Sequence, residues 1–199
     1  PEPDSGKNIT FNAEDVFSFN FGTVNDKVMD VLVDTMTPPN VYLIGERENR
    51  INLYKELTIL KVKQTSGYFE IDASFVLQTD ASYNSVSSTF LESNGNSLPN
   101  IYIAGQTNIE NPTDVMKTKP IIQKLVPSGD TFTVDSSFVI NEFGNQDDYL
   151  GELIIDPETS NLYGLINVHK NNRTWDWGLV KISQSETEPK FVVDISFTH

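Results

Sequence analysis

Short apolar runs alternate with polar, turn-forming stretches from about residue 18 to the end of the chain. No segment of ten or more residues sustains the 3.6-residue period of a helix, and the best helical candidate, Tyr54-Lys55-Glu56-Leu57, is too short to form one. The pattern predicts strands. Val28–Val33 and Val41–Ile44 are divided by the turn Pro38-Pro39-Asn40. Leu153–Ile155 and Leu162–Ile166 are divided by Asp156-Pro157-Glu158-Thr159-Ser160-Asn161. In that second turn aspartate caps, proline presets φ, and asparagine tolerates the left-handed region, so the pair reads as a β-hairpin.

The same pattern recurs along the chain. Asp-x-Ser-Phe occurs at Asp72–Phe75, Asp135–Phe138 and Asp194–Phe197, at spacings of 63 and 59 residues. Each copy follows a lysine set in an apolar segment (Lys61, Lys124, Lys181), and before that a tyrosine in another (Tyr42, Tyr102, Tyr163). Tyrosine to lysine is 19, 22 and 18 residues, and lysine to aspartate is 11, 11 and 13. Fixed landmarks with variable lengths between them are the mark of a structural repeat with loop insertions. Each unit is expected to hold four strands: the hairpin, a strand around the lysine, and a strand leading into Asp-x-Ser-Phe. A damaged earlier copy reads at Ser18-Phe19-Asn20-Phe21-Gly22. One continuous repeat domain follows, divided as 1–21 (leading segment and end of a preceding repeat), 22–75, 76–138 and 139–199.

Asp-x-Ser-Phe has a mechanical reading. The aspartate accepts a hydrogen bond from the amide two residues on, closing an Asx-turn, and the phenylalanine buries its ring between sheets. The competing reading is a set of metal-binding aspartates (Asp72, Asp135, Asp194). It is the weaker one, because a calcium loop needs several oxygen ligands close together and only one acid recurs. No cofactor is expected.

Several landmarks together resemble the delta-60 repeat family: Ile101-Tyr102-Ile103-Ala104-Gly105, then Gln123-Lys124-Leu125, then Gly129, then Asp135-Ser136-Ser137-Phe138. The first unit departs at Glu46, beside its glycine. The third has no glycine after its tyrosine strand and replaces the glycine turn with Ser183 to Pro189. The resemblance covers about residues 18 to 199. It implies all-β, four-stranded antiparallel units of β-propeller type, placed on bacterial surface or secreted proteins or on phage tails, and it implies no catalytic residues. Propellers typically close with 4–8 blades. Three units and a fragment fall short, which points to a longer array, a ring closed by several copies, or an open stack. The start at Pro1-Glu2-Pro3 and the stop two residues after Phe197 favour a piece of a longer array.

Composition narrows the partners. Hydrophobic residues make up 38 % of the chain and aromatic residues 11 %, a globular β composition. No apolar run is long enough to span a bilayer, so membrane insertion is not expected. The first apolar cluster is short and preceded by acids, unlike a signal peptide. There are no cysteines, which excludes disulfides, cysteine–zinc sites and thiol catalysis. The formal net charge of −14 repels nucleic acid and anionic membranes, and serves solubility in a strand-rich chain.

Candidate chemistry is sparse. The only histidines are His169, in a polar loop, and the terminal His199. No nucleophile elbow or phosphate-binding glycine loop is present. Asp147-Asp148 reads as part of a solvated acidic loop, since glycosidases need two carboxyl groups set apart across a sugar. Binding chemistry is more plausible in the connections between the tyrosine and lysine strands. Those carry Tyr54, Arg173 and Trp175, and Trp175 adjoins Trp177. The two tryptophans, two residues apart, share one face of a strand. They either anchor the core of the third unit or form an exposed platform that stacks a sugar or a peptide aromatic. The leading expectation is a non-enzymatic structural or recognition module, extracellular on a bacterial cell surface or a virion. Its partners would be proteins, or further copies completing the repeat array, with a surface glycan as a possible ligand. The alternatives are a carbohydrate-binding or glycoside-processing propeller and an intracellular protein-interaction scaffold.

Overall fold

The computed structural model describes residues 27–48, 55–65, 68–72, 83–94, 97–108, 118–138, 148–156, 158–170, 174–184 and 191–193. These form twelve strands and no helix. The first sheet holds β1 (Lys27–Val33), β2 (Val41–Glu48), β3 (Lys55–Thr65) and β4 (Tyr68–Ile71). The second holds β5 (Tyr83–Asn94), β6 (Ser97–Asn108), β7 (Thr118–Ser128) and β8 (Thr131–Val134). The third holds β9 (Tyr149–Ile155), β10 (Leu162–Lys170), β11 (Thr174–Gln184) and β12 (Phe191–Val193). In each sheet the strands neighbour one another in chain order, all antiparallel. The all-β expectation holds, and each sheet is open-edged.

Turn chemistry starts the first and third meanders. In the first hairpin the Asp34 amide donates to the Asn40 carbonyl (3.0 Å) across a turn that contains the cis Thr37-Pro38 bond. In the third, the Asp156 amide donates to the Asn161 carbonyl (2.9 Å), and Asp156 Oδ1 accepts the Glu158 amide (2.9 Å). The left-handed residue there is Ser160 (φ 57°), not Asn161, which was expected to take it. Asn161 instead donates its side-chain amide to Thr159 Oγ1 (2.9 Å). Gly129 (φ 61°) with Asp130 makes the two-residue turn between β7 and β8, where a left-handed residue closes the hairpin.

Lys55-Glu56-Leu57, in the segment read as too short for a helix, is strand: it pairs with Glu48, Arg47 and Glu46 of β2. One expectation needs correction. The central strands run further than the apolar pattern indicates, to Glu48, Asn108 and Lys170. Their outer ends carry polar side chains, and backbone pairing continues there without an apolar signal.

The three sheets stack in sequence order through two cores. Tyr42, Ile44, Leu57 and Ile59 of the first sheet pack with Val86, Ile101, Ile103, Leu125 and Phe132 of the second. Tyr102, Ala104 and Ile122 of the second sheet, with Phe138, pack on Leu150, Leu153, Leu162 and Ile182 of the third. Strand β6 therefore serves both cores. Ile101 and Ile103 face one way and Tyr102 and Ala104 the other, because side chains alternate along a strand. A strand covered on both faces reads as an unbroken apolar run, and Ile101-Tyr102-Ile103-Ala104 is one. Burying each isoleucine or leucine here contributes about 1.5–3 kcal/mol.

Candidate functional site

The repeated landmarks meet in space. Tyr42 and Lys61, Tyr102 and Lys124, and Tyr163 and Lys181 are direct cross-strand partners on the second and third strands of their sheets. The lysine carbonyl then receives the amide of the motif aspartate: Asp72 to Lys61 and Asp135 to Lys124, each at 2.8 Å. Side chains tie the cluster further. Lys61 Nζ lies 3.5 Å from Asp72 Oδ2. Lys124 Nζ lies 3.3 Å from Glu92 Oε2 and 5.1 Å from the centre of the Tyr102 ring.

Asp135 builds the turn that ends the second unit. Its Oδ1 accepts the Ser137 amide (2.9 Å) and the Ser137 hydroxyl (2.6 Å), and its carbonyl accepts the Phe138 amide (3.0 Å). Partial burial pushes the Asp135 carboxyl up, but the Ser137 hydrogen bonds and the Lys124 charge outweigh it and hold the group below the ordinary carboxylate range. Phe138 is buried between the second and third sheets, edge-on to Tyr102 at 5.5 Å between ring centres. Phe75, Asp194 and Phe197 lie outside the described residues.

A further part of the repeat escaped the sequence reading: an acid at the end of the first strand and an asparagine two residues before the tyrosine. Asp34 accepts from Asn40 Nδ2 (2.7 Å) and the Tyr42 hydroxyl (3.1 Å). Glu92 accepts from Asn100 Nδ2 (2.7 Å) and the Tyr102 hydroxyl (3.3 Å). The signal was Asn40-Val41-Tyr42, Asn100-Ile101-Tyr102 and Asn161-Leu162-Tyr163. A tyrosine buried between sheets needs a partner for its hydroxyl, and the acid is that partner. Burial first, then the neighbouring Asp34 charge, raises the Tyr42 phenol far above its ordinary value. Burial also raises Tyr102, against the opposing hydrogen bond to Lys124.

Polar side chains also link one sheet to the next. Glu46 Oε1, in a buried side chain, accepts the Val86 amide at 2.8 Å. Gln106 Nε2 donates to the Asp148 carbonyl at 3.2 Å. Both stand four residues after their unit's tyrosine, and both reach the start of the next sheet's first strand. Asp148 is 1 % exposed, so the expectation of a solvated Asp147-Asp148 loop fails at Asp148, which packs at the start of β9; Asp147 lies outside the described residues. Thr89 Oγ1 donates to Asp30 Oδ2 (2.5 Å), and the Leu153 amide donates to Ser88 Oγ (3.2 Å), across the same two interfaces.

The tryptophans sit on β11, and both are exposed: Trp175 is 54 % and Trp177 74 % accessible. They are not core anchors. Their register partners on β10 are His169 and Asn167. Paired residues share a face, so Trp175 and Trp177 lie on the side of the third sheet turned away from the second, with Ile154, Leu165 and Leu179. Side chains two apart on a strand stand roughly 7 Å apart, a spacing that fits rings stacked on a flat ligand. Arg173 and Tyr54 lie outside the described residues. Among the described residues no group of three or more His, Cys, Asp or Glu side chains is placed to hold a metal ion.

Comparison of the sequence with protein-family models and with curated proteins returns no match.

Proposed function

We propose that the chain is a propeller-type repeat module with a structural and recognition role, non-enzymatic, carried by a virion tail or bacterial cell-surface protein. One observation carries the reading: three four-stranded antiparallel sheets stack in sequence order, each locked by the same tyrosine–lysine pair. Successive propeller blades are likewise four-stranded antiparallel sheets, which supports the reading. The resemblance to delta-60 repeats supplies the extracellular setting and rests on the motif residues alone. The acidic surface suits a module that stays soluble while displaying strand-rich units.

A glycan-binding role is the second reading, favoured by the adjacent exposed rings of Trp175 and Trp177. Two experiments separate the possibilities. Antibody labelling of intact particles or cells of the source is expected to decorate their surface, and label confined to the cell interior would support an intracellular scaffold instead. A glycan array probed with the wild-type chain and with Trp175→Ala/Trp177→Ala is expected to show no tryptophan-dependent signal. A sugar bound by the wild type and lost in the variant would establish the second reading, and turnover of a glycoside would end the non-enzymatic one.

A further inference from the structure

The outward face of the third sheet is the same face that is buried in the first two. Leu165 and Leu179 occupy the positions of Ile44 and Ile59 in the first sheet and of Ala104 and Ile122 in the second, counted from the tyrosine–lysine pair. Those four are at most 6 % exposed, whereas Leu165 is 41 % and Leu179 36 %. Trp177, 74 % exposed, stands where Leu57 and Pro120 are buried. At the other end of the stack the reciprocal holds. Val28 and Val31, on the face of the first sheet turned away from the second, are 40 % and 52 % exposed. Their counterparts Val86 and Thr89 in the second sheet, and Leu150 and Leu153 in the third, are at most 8 % exposed because the preceding sheet covers them.

The polar links continue the pattern. Asn167 occupies the position from which Glu46 and Gln106 reach the next sheet. Glu152, exposed, occupies that of Asp30 and Ser88, which bond across the interface. The third sheet thus presents a copy of the surface that twice receives a following sheet, and the first sheet exposes at Val28 and Val31 part of the surface such a sheet uses, with Leu43 on the same face buried.

We infer that the third sheet of one chain docks on the first sheet of a second copy, head to tail, and that two chains close one ring. The ring rests on the propeller-type reading above, and the docking rests on the two internal interfaces. Closure selects the number of copies. The described residues of one chain supply three sheets, too few for the usual 4–8 blades; those of two supply six, and those of three supply nine, too many. The contact is heterologous: different patches meet, and rotation about the ring closes it.

Sedimentation velocity of the whole chain, at about 0.5 M salt so that the charge of each copy is screened, tests this. The expected result is a single species at twice the 22.3 kDa chain mass. Trp177→Glu and Val31→Glu each place a carboxylate in one of the two patches, and each variant alone is expected to run as a monomer with wild-type circular dichroism. Mixed in equal amounts they are expected to form a one-to-one pair, because each retains the patch the other has lost. A monomeric wild type, an open ladder of oligomers, or a Val31→Glu variant that still dimerises through two third sheets would overturn the inference. None of those outcomes bears on whether the module is displayed on a surface or binds a glycan, which the labelling and array experiments decide separately.

Discussion

The amide of Asp135 donates to the carbonyl of Lys124 at 2.8 Å, and Asp72 stands in the same relation to Lys61. This bond joins the end of the fourth strand to the third at the point where the third strand's lysine faces its tyrosine. The repeat landmarks are therefore one contact cluster, seen in full in the first two units and as the Tyr163–Lys181 pair in the third, and the aspartate of the second unit holds the turn that sends Phe138 into the core.

Removing that turn has a measurable cost. Asp135→Ala loses the two hydrogen bonds from Ser137, and the expected destabilisation is about 1 kcal/mol because solvent reaches the site. Asp135→Asn keeps the acceptor oxygen and is expected to cost less. The Asp135 pKa is depressed in the folded chain, so its contribution is present above the unfolded value of about 4 and is lost as pH falls through the folded value. Urea midpoints measured between pH 7 and pH 2.5 are expected to fall less steeply for Asp135→Asn than for the wild type. Parallel curves would mean the carboxylate is not coupled to folding.

Glu46 tests the link between sheets. Its carboxylate accepts the Val86 amide inside the first interface, where both residues are buried. Glu46→Ala leaves that amide without this acceptor at an expected cost of about 2 kcal/mol, whereas Glu46→Gln retains a carbonyl oxygen at the same reach and is expected to cost less than half as much. Hydrogen exchange of the Val86 amide reads the difference directly: protection is expected to drop in the alanine variant and to persist in the glutamine one.

Tyr42 predicts a response to alkali. Its hydroxyl donates to Asp34, and the phenol is held protonated by burial and by the Asp34 charge. The folded pKa is raised, so the stabilisation is complete below the unfolded value of about 10 and is lost as pH rises beyond it. Tyr42→Phe leaves a buried carboxylate oxygen with one donor fewer, at an expected cost of about 1.5–3 kcal/mol at pH 7. It should also flatten the loss of stability between pH 10 and pH 11.5. Thermal melts across that range would show the two curves converging.

Much of this was legible in the chain, for identifiable reasons. Strands bounded by Asp156 and Asn161, or by the prolines before Asn40, announce themselves because turn residues and alternating apolar positions each have a local cause. The tyrosine, lysine and aspartate were legible as landmarks because insertions spare them. Their contact was not, since cross-strand register depends on turns whose lengths differ between units. The Asn-x-Tyr element was missed because its acid lies at a different distance in the two units that show it, six residues before Asn40 and eight before Asn100. The exposure of Trp177 had no local signature. An apolar residue on the face of a repeat sheet is core where another sheet packs on it and surface where none does, and the residues around it are the same in both cases.

Gly105 shows how tightly that repeat geometry is set. A β-bulge interrupts the pairing of β5 with β6 between Val86 and Ser88, and β1 carries one at the matching place between Val28 and Asp30. The bulge brings the β5 backbone against Gly105, where a methyl group would lie 2.1 Å from the Ser85 carbonyl oxygen and 3.2 Å from the Val86 Cα. Both are backbone atoms and cannot swing aside, so the strand itself would have to shift. Gly105→Ala is expected to cost about 3 kcal/mol, which lowers the melting temperature of a domain this size by roughly 6–12 °C. Gly151→Ala is the control: the nearest atom to a methyl group there is the Leu165 carbonyl oxygen at 3.6 Å, an ordinary contact, and its melting temperature should stay within about 2 °C of wild type. Equal shifts in the two variants would mean that the second sheet does not pack its first two strands as closely as the bulge requires.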